Sequence, residues 1–213
     1  GPISTEDLVD VLAGSYTATI KDSNQCVITH NVNVSEPPVL NPGQITGDQF
    51  VCYGEDPQTL REAFGASGGP TTRVYSWEMS TISDSANYSI VSGATGSTYT
   101  PPGNITETTY YRRLVTSGSC GPEYSNVVTL TVNPLPVAAL SGDTAICPGT
   151  PTDIVVDLTV GSQPFTLTIS NGIGVVSGYR SGDPITIVPI AAPAVYELVS
   201  VIDSFGCEVR SPH

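Results

Sequence analysis

Gly47-Asp48-Gln49-Phe50-Val51-Cys52-Tyr53-Gly54 and Gly142-Asp143-Thr144-Ala145-Ile146-Cys147-Pro148-Gly149 share the pattern G-D-x-x-x-C-x-G, 95 residues apart. Each stretch follows a proline-rich join, residues 36–42 (EPPVLNP) before the first and 133–137 (NPLPV) before the second. Self-similarity at a fixed spacing is the mark of a repeated structural unit, and a spacing near a hundred residues is the size of one small domain.

A second pattern closes each unit. Residues 16–26 (YTATIKDSNQC), 111–120 (YRRLVTSGSC) and 196–207 (YELVSVIDSFGC) all run from a tyrosine through an alternating stretch into a polar turn that ends in cysteine. Alternation with a period of two is the strand signal, and the polar turn makes each copy a hairpin. After the second copy, residues 126–132 (NVVTLTV) place Val128, Leu130 and Val132 on one face of a closing strand. The reading is an all-β chain of tandem immunoglobulin-like β-sandwich domains whose first unit is incomplete. The expected bounds are 1–38 for a C-terminal remnant, 39–134 for a full sandwich and 135–213 for a sandwich cut short at its last strand. The proline-rich joins favour semi-rigid links between units.

Composition agrees with this reading. Only 13% of the 213 residues are charged, while glycine (21) and proline (18) punctuate a chain rich in Thr, Ser and Val. Residues 57–64 (PQTLREAF) are the one segment expected to form a helical turn or two. The net charge of −13, with seven basic residues and a single lysine at Lys21, repels phosphate backbones and anionic lipids, so nucleic acid is excluded as a partner. The most apolar stretch, residues 185–195 (ITIVPIAAPAV), is short and broken by Pro189 and Pro193, so no membrane insertion is expected. Gly1-Pro2 reads as a tag-removal scar and is set aside.

The repeats pair Cys52 with Cys120 and Cys147 with Cys207, at spans of 68 and 60 positions. Such bridges would tie the first strand of a unit to its final hairpin and place the protein outside the cytoplasm, extracellular or at the cell surface. Cys26 is left unpaired, its partner expected in the front of the first unit. The chain has no C-x-x-C, and its histidines are only His30 and His213, which gives zinc no ligand set.

No catalytic constellation stands out. His30 shares a strand face with Ile28, Val32 and Val34, and neither a P-loop nor H-E-x-x-H occurs. A non-enzyme without a cofactor is therefore expected. Ca²⁺ is the one ion with candidate ligands: Asp48 and Asp143 hold the same repeat position, and Asp22 and Asp203 share the hairpin turn D-S-x-x-C. The competing role for these aspartates is capping of their own turns. Trp77, the only tryptophan, shares a strand face with Tyr75 and Met79 and is expected to anchor the second core. Tyr88, Tyr99, Tyr110 and Tyr111 are the candidates for a sugar-stacking platform.

Residues 14–37 (GSYTATIKDSNQCVITHNVNVSEP) resemble the tail of an SprB-type repeat, with Gln25 where the usual D-x-x-G-C turn has glycine. The second unit, through Thr109-Tyr110-Tyr111-Arg112-Arg113, Ser119-Cys120 and Ser125-Asn126-Val127-Val128, is similar to the Ig-like and PKD-like modules of the same proteins. These are large cell-surface adhesins of Bacteroidota, among them gliding-motility adhesins exported by type IX secretion. The resemblance implies a spacer and contact segment whose partners are neighbouring repeats of its own chain and a polysaccharide or abiotic surface. The alternative is an accessory, carbohydrate-binding module of a secreted polysaccharide-degrading enzyme. Glycosylation of such proteins at D-[ST]-[aliphatic] makes Ser85 and Thr144 candidate sites.

Overall fold

The protein is described by a computed structural model covering residues 11–142, 145–190 and 193–210. It is all-β, with a hairpin followed by two two-layer sandwiches of immunoglobulin-like type. Among the described residues no helix is long and apolar enough to cross a membrane.

β1 (Gly14–Lys21) and β2 (Val27–Val34) form the hairpin, with Tyr16 opposite Val32, Ala18 opposite His30 and Ile20 opposite Ile28. The period of two puts these residues on one face. The other face carries the cross-strand hydrogen bonds Ser15 to Asn33 and Thr17 to Asn31, each 2.7 Å. Ile20 and Ile28 remain 63% and 66% exposed, because a two-stranded ribbon has no second layer to cover them.

The sandwich of the second unit, called the second sandwich below, is built from β3 (Gln44–Thr46), β4 (Gln49–Cys52), β5 (Arg61–Phe64), β6 (Arg73–Ser80), β7 (Ser89–Ile90), β8 (Thr109–Ser117), β9 (Cys120–Tyr124) and β10 (Val128–Asn133). One layer is the β3–β5 pair; the other runs β4-β10-β8-β6-β7, with β9 also paired to β8. β8 alternates strictly, with Tyr111, Arg113, Val115 and Ser117 buried. The inner faces enclose Ile45, Leu60, Trp77, Tyr111, Val128 and Leu130. Trp77 is fully buried, and its indole N–H donates to the Gly96 carbonyl at 2.9 Å.

The helical turn expected over residues 57–64 does not form. Arg61 and Glu62 pair with Thr46 and Ile45, and Leu60 bridges to Tyr99 through two backbone hydrogen bonds. Burying Leu60 completely in the core outweighs the weak local helix preference of this segment.

The last sandwich contains β11 (Val137–Gly142), β12 (Thr152–Val160), β13 (Phe165–Ile169), β14 (Gly174–Tyr179), β15 (Pro184–Ile187), β16 (Leu198–Ile202) and β17 (Glu208–Arg210). Its layers are β11-β12-β15 and β14-β13-β16-β17, packed around Val156, Phe165, Leu167, Ile169 and Val201. β17 pairs with the β16 end next to the turn, Ile202 opposite Glu208 and Ser200 opposite Arg210. The second sandwich continues further, because β10 extends its closing edge and pairs in parallel with β4; among the described residues the last sandwich has no counterpart of β10.

Candidate functional site: a staple between sandwiches

Cys52 ends β4, which lies beside β10 with Cys52 opposite Asn133. That is the end where the chain leaves the second sandwich for β11, so Cys52 faces the next unit. Its backbone is held in a tight turn: the Glu55 N–H donates to the Cys52 carbonyl at 2.9 Å, and the Gly54 N–H donates to the Ile105 carbonyl at 2.8 Å. Gly54 sits at a φ of +84°, a conformation open to glycine at little steric cost. The Glu55 carboxylate also accepts the Cys52 N–H at 3.1 Å.

Cys207 sits in the β16–β17 turn. The buried Asp203 shapes that turn, its Oδ1 accepting the N–H groups of Phe205 (2.9 Å) and Cys207 (3.0 Å). Its Oδ2 accepts the Ser162 N–H at 3.1 Å, which ties the turn to the end of the sandwich near β12. Gly206, at φ +87°, lets the chain reverse.

The two sulfurs are bonded at 2.09 Å, with Cα atoms 5.4 Å apart, across 155 residues of chain. Beside the bridge the rings of Phe50 and Phe205 stack, with centroids 5.9 Å apart and planes inclined by 20°. These two side chains are also more than half exposed, so the aromatic contact covers one face of each and leaves the other wet.

This pairing corrects the expected one of Cys52 with Cys120 and Cys147 with Cys207. Cys120 lies opposite Ser117 at the far end of β8, whereas β10 meets the near end, with Leu130 opposite Thr109. The eight-residue step from Thr109 to Ser117 spans roughly 26 Å at strand rise, and a bridge needs Cα atoms within about 7 Å. In the last sandwich β11 starts at the Cys207 end, where Val137 pairs with Val160, and runs away to Gly142. Cys147 follows at that far end. The two cysteines of a unit therefore stand at opposite ends of its sandwich and cannot meet. Cys26, Cys120 and Cys147 are free thiols; Cys26 and Cys147 are exposed, and Cys120 packs against the small cluster of Leu40, Ala66 and Val115.

The aspartates act on backbone. Asp22 Oδ1 accepts the N–H groups of Asn24 and Cys26, both at 2.8 Å, as Asp203 does in its own turn. Asp48 Oδ1 accepts the Thr129 N–H at 2.7 Å and fastens the β3–β4 corner to the start of β10. Asp143 and Thr144 lie outside the described residues. Among the described residues no three His, Cys, Asp or Glu side chains gather as a metal cluster. Ser85 is exposed in the loop between β6 and β7.

The aromatic candidates do not assemble into one platform. Tyr99 and Tyr111 point inward, their rings 5.6 Å apart, with Trp77 5.6 Å from Tyr99. Burial pushes the Tyr111 phenol up to about 12. Tyr88 instead flanks Arg112 on the outer face together with Tyr124, each ring centroid 4.0 Å from the guanidinium, and Arg112 pairs with Glu78 at 2.7 Å. Those ring faces are thus already taken by a cation.

Arg113, the inward neighbour, is a buried side chain that ties the layers together and that the motifs did not single out. It is completely buried and spans the two layers, donating to Glu62 (2.6 Å), the Ser97 carbonyl (2.8 Å) and the Pro42 carbonyl (3.0 Å), with the Tyr75 ring 4.7 Å away. The regular alternation of β8 was the available signal, since it puts Arg113 on the face of Tyr111 and Val115.

Residues 41–134 match a family model described as a domain of unknown function, DUF8696. That span coincides with the second sandwich. No curated protein matches the chain.

Proposed function

We propose that this chain is a non-catalytic load-bearing segment of a secreted cell-surface adhesin, in which successive sandwiches are locked to one another by disulfides. The observation that carries the reading is the bridge from Cys52 to Cys207 across two units. A pull applied to the two ends of the chain passes through this bond and bypasses the 154 residues between the two cysteines. The strands inside the loop, β5 to β16, are then shielded from tension, which suits a spacer that holds a contact surface away from a cell. A disulfide of this kind fits an oxidising, extracellular setting. The resemblance to Bacteroidota adhesins, and with it type IX export and attachment to a polysaccharide or abiotic surface, belongs to the same proposal. Tyr88 and Tyr124 each hold Arg112 against one ring face, and Tyr99 and Tyr111 pack inward; this scatter favours the spacer over a carbohydrate-binding module, because a sugar platform needs its ring faces gathered on one open surface.

Force spectroscopy on the full chain, held at its ends, tests the reading. With the bridge intact the enclosed loop stays hidden; on reduction it adds about 50 nm of contour length, at about 3.5 Å per residue. Equal extension in both redox states would overturn the load-bearing role. Surface labelling of intact cells by an antibody to the second sandwich tests the location, and labelling only after lysis would count against it.

A further inference from the structure

Two of the free thiols sit in copies of the turns that hold the bonded pair. Around Cys147 the Thr150 N–H donates to the Cys147 carbonyl at 3.1 Å, and the Gly149 N–H donates to the Pro189 carbonyl at 2.7 Å. Gly149 has φ +81°. These are the bonds and the conformation of the Cys52-Tyr53-Gly54-Glu55 turn, one unit later. Around Cys26 the match is with Cys207: Asp22 N–H to Cys26 carbonyl (3.0 Å), Gln25 N–H to Asp22 carbonyl (3.1 Å), and Asp22 Oδ1 accepting from Asn24 and Cys26. Asp203, Phe205, Gly206 and Cys207 repeat the set at 3.1, 3.0, 2.9 and 3.0 Å. Cys120 differs, since its turn is the shorter one between Ser117 and Cys120.

The geometry points to Cys147 and Cys26 as the two halves of a second staple, each built to bond a neighbouring unit as Cys52 bonds Cys207. We infer that Cys147 takes the D-S-x-x-C hairpin of a following unit, and that the Cys26 hairpin of a second copy of this chain meets that need. Both thiols are exposed, and the hairpin bearing Cys26 is open on both faces. Repeated along an array, such bonds overlap, because the Cys52–Cys207 loop already encloses Cys147; the load path is then continuous from unit to unit. This inference rests on the spacer reading above.

Formation needs a two-electron acceptor, here a small-molecule disulfide such as oxidised glutathione. The Cys147 thiolate attacks it and releases one glutathione thiolate; the Cys26 thiolate then attacks the mixed disulfide and releases the second. One S–S bond is broken and one formed, and the two cysteine protons end on two glutathione thiols.

The test is oxidation of the full chain in a glutathione redox buffer, at an ionic strength near about 0.15 M to screen the repulsion between acidic copies. Non-reducing electrophoresis and mass spectrometry of the peptic digest are the readouts. The expected result is a disulfide-linked dimer whose main intermolecular bridge is Cys147–Cys26. C147S and C26S should each lower dimer yield about tenfold, while C120S leaves it within about twofold, since only the first two remove a partner of the exchange. A Cys147 that stays open to alkylation, or bridges spread evenly among Cys26, Cys120 and Cys147, would overturn the inference. The same digest reports Cys52–Cys207. Its absence would bring down the spacer reading itself, whereas its presence without Cys147–Cys26 would remove only the second staple.

Discussion

Cys52 of one sandwich and Cys207 of the next are bonded with Cα atoms 5.4 Å apart, although they stand 155 positions apart in the chain. Each core nonetheless closes on its own. The cluster around Trp77 draws only on the second sandwich, and the cluster around Phe165 only on the last. The chain-entropy model assigns about 5 kcal/mol to closing so long a loop. That contribution acts on the unfolded chain; in the folded chain the short proline-bearing link from Asn133 to Val137 already holds the sandwiches close, so there the bridge chiefly fixes orientation.

Cys52→Ser should therefore leave both sandwiches folded and free them to reorient. Circular dichroism is expected to be unchanged, while small-angle scattering shows a broader distribution of interatomic distances. Loss of the β signal would mean that the bridge holds up a core.

Arg113 carries the second prediction. Its guanidinium is buried, and its partner Glu62 sits on the opposite layer. Arg113→Ala should cost about 3 kcal/mol in urea unfolding, because it strips the Glu62 carboxylate and two carbonyls of their donor. Arg113→Lys should fall between, as an ammonium keeps the charge but cannot fork to three acceptors. A lysine variant as stable as the parent would show that charge alone suffices.

The two D-S-x-x-C turns predict opposite effects at one position. Gly206 has φ +87°, with open space where a Cβ would stand, so Gly206→Ala is penalised by backbone conformation alone, at about 1 kcal/mol. Gln25 holds the equivalent place at φ +69°, and Gln25→Gly should relieve it. Slower amide exchange across β1 and β2 would register the gain; faster exchange would contradict it.

Alkaline stability follows from Tyr111. Its folded-state value of about 12 lies above the ordinary phenol value of 10.0 because burial disfavours the phenolate. The stability tied to the neutral phenol is fully present below pH about 10 and is lost as pH rises through about 12. In an ultraviolet titration the Tyr111 tyrosinate should appear last, after those of Tyr88, Tyr99 and Tyr179, whose phenols burial also raises, and Tyr111→Phe should remove that last step. Simultaneous titration of every tyrosine in folded protein would refute the assignment.

Much of this was legible in the residues. Strand alternation marked β1, β8 and β10. The D-S-x-x-C aspartates cap their turns through contacts two and four residues away. Local rules sufficed there, because the pleat repeats every two residues and an Asx turn closes within one loop.

Residues 57–64 and the cysteine partners lay beyond such rules. Leu60 joins a strand segment because Tyr99 and the Trp77 core receive it, a contact invisible to helix preference. The cysteines were spaced as if each unit closed on itself, yet the parallel pairing of β4 with β10 carries Cys52 to one end of its sandwich while the length of β8 carries Cys120 to the other. Composition and strand alternation thus settled an all-β chain. Which thiol meets which depended on the ends at which strands start and stop, and strand register is set by pairing between distant segments.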